Sequence, residues 1–580
     1  MAFPASRVAA RVRSKRVADV LRRSSAVDER AQAFHCVESI RAPLCPGARG
    51  IAVIDSTRAF TKLVAAFNQN DWPRVQQRAL QVLAVAPDDA CAHFMLGVAL
   101  MQMQQVQQMP KALAHLLQAT HLEPRRADYL AQYAKALAQS RRFREARLVA
   151  DRAMTLSPDD GHTLGTLGAV YRQANAHKPS ADAFRRAVAL APGQAQSHLD
   201  LAYALNGLGD VEGAEQELEV CIRIEPRHWY AHLLLAQLQK QTTEHNHVVR
   251  LRALLERHPD DPGAQLLLNI ALGKECDDLA DYPQAFVYYT RGKTAGRRMR
   301  PYTFARDEAM FDAIVRAFPA AETQVVGDPT PEPIFIIGMP RTGTTLLDRV
   351  LSSHPDVRSC GELQNFPTLL QRASGCPTAL LGEADIAART HHIDWRQLGA
   401  DYLTSTRPVS GETPRFIDKM PHNFLYAGFI ARALPNARII CLRRDPLDTC
   451  IGNFRHLFDQ ASGFYDYSFD LDDIARYVTQ FDRLIAHWRK VLPGRIHEVS
   501  YEALVADTEA ATRGLLAFCG LPWNEACLRS EENAAPVNTP NAWQVRAPIY
   551  KRAVGQWRNY EPQLRGLREL LTGAGVGTAE

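Results

Sequence analysis

The stretch Pro333–Val357, PIFIIGMPRTGTTLLDRVLSSHPDV, restricts the fold more than any other part of the chain. Ile334, Phe335, Ile336 and Ile337 form an unbroken β-branched and aromatic run, the pattern of a strand buried on both faces of a parallel sheet. Gly338 and Gly343 allow a tight turn in which successive N–H groups face inward. A helix predicted from Thr344 adds its positive end. Strand, glycine turn and helix together predict a seat for a phosphate-like group; the plainer alternative is a well-capped turn.

The loop has the spacing of the nucleotide-triphosphate motif GxxxxGK[ST], but Thr344 stands where that motif places its lysine. A kinase or ATPase needs that cation, together with magnesium, against the concentrated charge of the β- and γ-phosphates. A sulfuryl group carries one negative charge, so hydroxyls, amides and a single cation suffice. Through Arg341, Thr342, Gly343, Thr344 and Thr345, PRTGTT resembles the 5′-phosphosulfate loop of the sulfotransferase superfamily. That resemblance implies 3′-phosphoadenosine 5′-phosphosulfate (PAPS) as donor co-substrate and no required metal.

Beyond the loop, helix and strand patterns alternate: strands near Val357–Ser359, Arg415–Ile417 and Ala437–Leu442, with helices between them. Alternation predicts a parallel sheet with its ligand at the carboxyl ends of the strands. Three stretches fall at those ends. GEL, at Gly361–Leu363, resembles the GEE segment of tyrosylprotein sulfotransferases, and the resemblance makes Glu362 the base for the acceptor hydroxyl. Partial desolvation in a cleft would raise its pKa toward that task. DKMPHN, at Asp418–Asn423, offers Lys419, which in the resembling families stabilises the oxygen that bridges sulfate to phosphate. The alternatives are a structural ion pair for Lys419, with Asp418 or another acid, and His422 as the base or as a helix cap.

CLRRDPLDTCIGNFRH, at Cys441–His456, looks like the 3′-phosphate element, with Arg444 or Arg443 supplying the charge. The family's serine, eight residues after the arginine, is replaced by Gly452; Thr449 is an alternative hydroxyl. SYEALV resembles the family's YEDLV segment and marks Tyr501 as a nucleotide contact. In the closing QVRAPIYKRAVGQWRNYE, Arg546, Lys551 and Arg552 are candidate 3′-phosphate contacts and Trp557 a packing residue. Gln556 stands where some relatives carry a basic residue. The catalytic set is therefore expected to be Glu362, Lys419 and Arg341, with a solvated basic face as the alternative for the late residues.

Upstream, prolines at 87, 124, 158, 192, 226 and 259 recur at intervals of 37, 34, 34, 34 and 33 residues. A 34-residue period of helix, turn and helix is the tetratricopeptide (TPR) signature. Ala112, Ala119, Ala146, Ala153, Ala181, Ala187, Ala214 and Cys221 recur where paired helices must approach. Tyr133, Leu137, Leu167, Tyr171, Leu201 and Leu205 supply packing bulk. The long first interval places about three extra residues within Gln102–Met109. Asp281–Gly292 reads as the last repeat helix before a basic connector at Arg297, Arg298 and Arg300. Such an array predicts a concave face for a peptide or protein, against packing on the catalytic domain or a homodimer contact.

The chain is thus expected to be all-α TPR solenoid followed by an α/β sulfotransferase domain. The expected boundaries are a basic, disordered tail at 1–55, repeats at 56–292, a connecting helix and linker at 293–332, the catalytic domain at 333–571 and a tail at 572–580. The net charge of +5 lies in the first fifty residues, which count 10 basic and 4 acidic side chains. An amphipathic targeting or membrane-surface helix is the alternative for that tail. The nearly neutral remainder argues against nucleic-acid binding. Eleven scattered cysteines without a CxxC pair suit a reducing compartment. No apolar run suffices to span a bilayer, so a cytoplasmic protein is expected. Sulfuryl transfer to protein tyrosine is the favoured function. A saccharide or small-molecule acceptor, and a TPR scaffold with an impaired catalytic domain, are the alternatives; a magnesium-dependent kinase fits Thr344 poorly.

Overall fold

A computed structural model describes residues 50–103, 108–140, 142–174, 176–321, 326–375, 390–459, 463–533, 535, 549 and 553–577. Residues 104–107 of the join at Gln102–Met109 lie outside them, as do Arg546, Lys551, Arg552 and all but the last of the first fifty residues. The chain divides into two compact units, the second beginning at His232.

The first unit is a run of antiparallel helix pairs, such as Ala90–Gln102 with Met109–Leu122 and Gly161–Gln173 with His177–Leu190. The recurring proline-Asp-Asp string does two jobs at once. Proline cannot extend the preceding helix, and the second aspartate caps the next. Asp89 accepts from the Ala92 N–H at 2.7 Å and Asp160 from the Thr163 N–H at 2.6 Å. The predicted small residues from Ala112 to Cys221 are fully buried. Two glycines serve the same close approach: a Cβ on Gly97 would strike Leu116 at 2.5 Å, and one on Gly168 the Phe184 ring at 2.8 Å. Phe94 stacks on Tyr129 of the following repeat, centroids 4.4 Å apart.

The second unit begins with helices of the same kind. Asp261 caps Pro262–Asp278, repeating the proline-Asp-Asp device, and Tyr282–Met299 pairs with that helix. The predicted basic connector is helical instead: Arg297 and Arg298 form the last turn of Tyr282–Met299. Arg297 pairs with Asp470 and Asp473, and Arg300 with Asp466 at 3.2 Å, so tertiary ion pairs carry the helix past its expected end.

Five parallel strands follow: β1 (Pro333–Gly338), β2 (Val357–Ser359), β3 (Arg415–Asp418), β4 (Arg438–Arg443) and β5 (Ile496–Ser500), in the order β2-β3-β1-β4-β5. β1 is central and every one of its residues is buried. Ile334 and Ile336 pack with Leu347, Val350 and Leu351 of the helix Thr344–Ser352, while Phe335 meets Tyr402 and Phe366 on the opposite face. That double burial is why the run reads as continuously apolar rather than alternating. From β1 the chain crosses to the β2 side, and from β4 to the β5 side. The sheet therefore has a topological switch point beside β1, where open α/β sheets place ligands. Among the described residues no helix is long and apolar enough to cross a membrane.

Candidate active site

The phosphate loop is held by its own Thr342 and by side chains from the segment that follows β4 and its helix Pro446–Arg455. Thr342 donates its hydroxyl to the Met339 carbonyl at 2.7 Å. Asn453 donates to the Pro340 carbonyl at 2.8 Å, and Arg444 to the Arg341 carbonyl at 3.2 Å. In a trans peptide the carbonyl and the following N–H point oppositely, so tying back two successive carbonyls turns the Arg341 and Thr342 N–H groups the other way. Arg341 sits at φ 67°, a left-handed conformation rare for a residue with a side chain. Strain of that kind costs about 1–3 kcal/mol and concentrates at functional turns. Gly343, at φ 104°, lets the Tyr501 ring lie where a Cβ would be 2.5 Å away. It caps Thr344–Ser352 without a side chain, leaving the N-terminal amides to another acceptor. Thr344 is buried and Thr345 half-buried in that first turn.

Glu362 and Lys419 are brought together as an ion pair of 2.6 Å. Gly361, at φ 69°, makes the turn after β2, and its carbonyl accepts the Lys419 N–H at 2.9 Å, locking that turn to the end of β3. The Lys419 side chain is 4% exposed but that of Glu362 is 42% exposed. The turn leaves the carboxylate about half covered, and the more deeply buried member of the pair is the cation. Asp418 does not pair with Lys419. It accepts from the Tyr402 hydroxyl at 2.8 Å and from Asn423 at 3.3 Å, and burial pushes its pKa up to about 7. His422 is buried among Phe424, Phe464, Tyr465 and Tyr477, and that burial lowers its pKa to about 4. It is a neutral core imidazole rather than a helix cap.

Arg443 and Arg444 separate at the end of β4. Arg443 turns to Asp482 and the Phe481 ring. Arg444 lies over the Tyr501 ring at 4.6 Å and donates to the Arg341 and Ala553 carbonyls and to Asp448. Tyr501 is buried against the loop. Gly452 faces Arg341: a Cβ there would lie 3.3 Å from the Arg341 Cβ, so a serine would crowd the left-handed residue. Thr449 is buried, with its hydroxyl 3.5 Å from the Arg444 carbonyl.

Sequence reading missed Asp448 and Asn453. Buried Asp448 accepts from Arg444 at 3.2 Å, from the Gly555 N–H at 2.8 Å and from the Trp557 N–H at 2.9 Å, joining the closing stretch to the sheet edge. Its four-residue spacing from Arg444 was the available signal. Trp557 is buried, with Arg558 and Arg568 against its ring. Gln556 accepts from Arg455 at 2.8 Å, which places a guanidinium beside the position where the basic residue is replaced. Among the described residues no group of three or more His, Cys, Asp and Glu side chains is placed to hold a metal ion.

The ends of adjacent parallel strands thus bring together a glycine loop on the central strand, a carboxylate–lysine pair at one neighbouring strand end and two arginines at the other. By sequence, residues 333–525 match the Sulfotransferase family. An uncharacterized protein of Aquifex aeolicus is 29% identical over 412 residues, covering 69% of this chain and 53% of that one. The protein-tyrosine sulfotransferase of Drosophila melanogaster is 28% identical over 241 residues, covering 39% and 46% respectively. The chain therefore spans about half the length of these two relatives. Protein-tyrosine sulfotransferase 1 of Danio rerio is 29% identical over 245 residues, covering 39% of this chain and 65% of that one. Among solved structures, the sulfotransferase domain of the Synechococcus PCC 7002 olefin synthase has 21% identity and a TM-score of 0.29, covering 41% of this chain and 90% of that chain. YrrB, a TPR protein with an unusual peptide-binding site, has 16% identity and a TM-score of 0.26, covering 36% and 96%.

Proposed function

We propose that the protein transfers a sulfuryl group from PAPS to an acceptor hydroxyl, with tyrosine in a protein or peptide as the favoured acceptor. The observation that carries this reading is the Lys419–Glu362 pair, 2.6 Å apart at the strand ends beside the phosphate loop. Glu362, at the exposed mouth, takes the proton as the acceptor oxygen bonds to sulfur. Lys419, buried beside it, stabilises the charge that develops on the bridging oxygen as the sulfur–oxygen bond breaks. Because that charge grows only along the reaction, Lys419 favours the transition state over the bound donor. Amides and hydroxyls from Arg341 to Thr345 hold the 5′-phosphosulfate, and Arg444 fixes the loop and brings positive charge to the same edge. Tyr501, Arg546 and Lys551 complete the donor site in this reading. The donor's single sulfuryl charge needs no metal.

The repeats capture peptide or protein along their concave face and raise the local concentration of the acceptor. That role rests on fold alone. A cytoplasmic setting accords with the scattered cysteines, which include no CxxC pair, and no nucleic-acid partner is proposed. The test is calorimetric titration of 3′-phosphoadenosine 5′-phosphate without magnesium, with ATP as control, into wild type and Arg341→Ala. Micromolar binding that the variant loses, followed by sulfuryl transfer from PAPS to tyrosine peptides, is the expected result. Well-folded wild type that ignores the nucleotide would overturn it in favour of a scaffold, and magnesium-dependent preference for ATP would overturn the reaction class.

A further inference from the structure

We infer that Asp348 is a positioning residue for this transfer: it is the second counterion of the Lys419 ammonium and takes over that charge when Glu362 turns to the acceptor. The inference rests on the sulfuryl-transfer reading of the site. Asp348 stands on the helix that starts at the phosphate loop, one turn beyond Thr344, and is 7% exposed.

Four hydrogen bonds run from it to the catalytic pair. Ser359 Oγ donates to Asp348 Oδ2 at 2.9 Å, and the Gly361 N–H donates to Ser359 Oγ at 3.3 Å. The Gly361 carbonyl accepts the Lys419 N–H at 2.9 Å, and Lys419 Nζ donates to Glu362 Oε1 at 2.6 Å. The chain of bonds joins the phosphate-loop helix, the end of β2, the turn that carries Glu362 and the end of β3. It uses only one oxygen of Asp348. Oδ1 is buried and has no hydrogen-bond partner, a state that destabilises the fold unless a nearby charge compensates it.

The charged groups that act on Asp348 are Lys419 and Arg349, which favour its ionised form, and Glu362, which opposes it; burial also opposes it. The Arg349 guanidinium donates to the Asn533 and Ala535 carbonyls, which fixes it on the closing side of the helix. Lys419 is left as the cation whose partner must change. When Glu362 leaves the pair for the acceptor hydroxyl and charge has not yet grown on the bridging oxygen, an ammonium buried to this degree would lack its carboxylate partner, a costly state. The Asp348 carboxylate, whose ionised form the Lys419 charge favours and whose Oδ1 is unused, supplies the countercharge.

Removing a negative charge from beside the pair makes proton loss from neighbouring groups easier, so the neutral replacement of Asp348 should move both limbs of the pH–rate profile to lower pH. In Asp348→Asn we expect turnover to fall about tenfold or more, with both limbs lower by roughly half a pH unit and KM for the acceptor within about threefold. Titration with 3′-phosphoadenosine 5′-phosphate should give an affinity close to wild type, and Asp348→Ala serves the same readings if the amide variant fails to fold. Ser359→Ala, which removes the turn bond but keeps the countercharge, should lower turnover less and leave both limbs in place. Limbs unmoved in Asp348→Asn, or a full loss of turnover in Ser359→Ala, would overturn the inference while an active wild type still supports sulfuryl transfer. A wild type that binds nucleotide without transferring sulfuryl would remove the underlying reading itself.

Discussion

Lys293 carries an ammonium into an almost dry interior. It is 1% exposed, donates to the His456 carbonyl at 2.6 Å, and lies 5.9 Å and 5.3 Å from the centres of the Phe454 and Phe469 rings. Burial pushes its pKa down to about 7. Between about pH 7 and the ordinary lysine value the unfolded chain therefore binds more protons, so this group makes the second unit more stable as pH rises through that window. Asp418 acts in a lower window and with the opposite sign. Its pKa, raised to about 7, means that its contribution is greatest below the ordinary aspartate value and is lost as pH rises toward 7. The prediction is that Lys293→Met, similar in volume, flattens the rise in urea stability between pH 7.5 and 9.5 and is the more stable protein at pH 7. Equal slopes in variant and wild type would show that Lys293 is not the group responsible. Next to it, burial and the charges of Arg341 and Lys293 hold the pKa of His456 well below the usual imidazole range, so that ring is neutral beside the loop arginine.

At the scale of elements, the helices Pro262–Asp278 and Tyr282–Met299 read in sequence as the end of a repeat and in the structure pack within the second unit, against segments that follow β4. Asp277 receives Arg455 at 2.9 Å and also the Tyr560 hydroxyl. Arg455 in turn donates to Gln556, and Phe286 meets Phe454 and Tyr560. Three segments far apart in the chain thus share one carboxylate. Truncating one partner of such a pair leaves the other charge uncompensated, so Asp277→Ala should cost about 3 kcal/mol in the urea unfolding of the second unit. A loss below about 1 kcal/mol, the range of an exposed pair, would show that the network is only a surface feature. The period of 34 residues could not reveal this. Periodicity reports which face of a helix is buried, and Asp277 lies outside that stripe.

For the whole molecule, Cys221, Cys276, Cys360, Cys441, Cys450, Cys519 and Cys527 are free thiols and buried. Burial raises the pKa of each of these thiols, so they are poor nucleophiles and pack as small apolar side chains. Millimolar dithiothreitol should leave the unfolding midpoint unchanged within about 1 °C, whereas loss of a stabilising disulfide would lower it several-fold further. The sequence by itself determined the repeat period, the buried central strand, the glycine phosphate turn and the motifs that hold Glu362, Lys419 and Arg444. Each of these is written in neighbouring residues, through helix and strand periodicity or through the backbone freedom that a turn demands. Only the tertiary structure decided that Lys419 is the buried partner and Glu362 the exposed one. It also decided that Asp448 and Asn453 hold the closing stretch and the loop, that Asp348 is linked through Ser359 to the turn that carries Glu362, and that Asp277 ties Arg455 and Tyr560 together. Those roles depend on which side chains distant segments bring within a few ångströms, and the burial that sets their charge arises only when the segments pack.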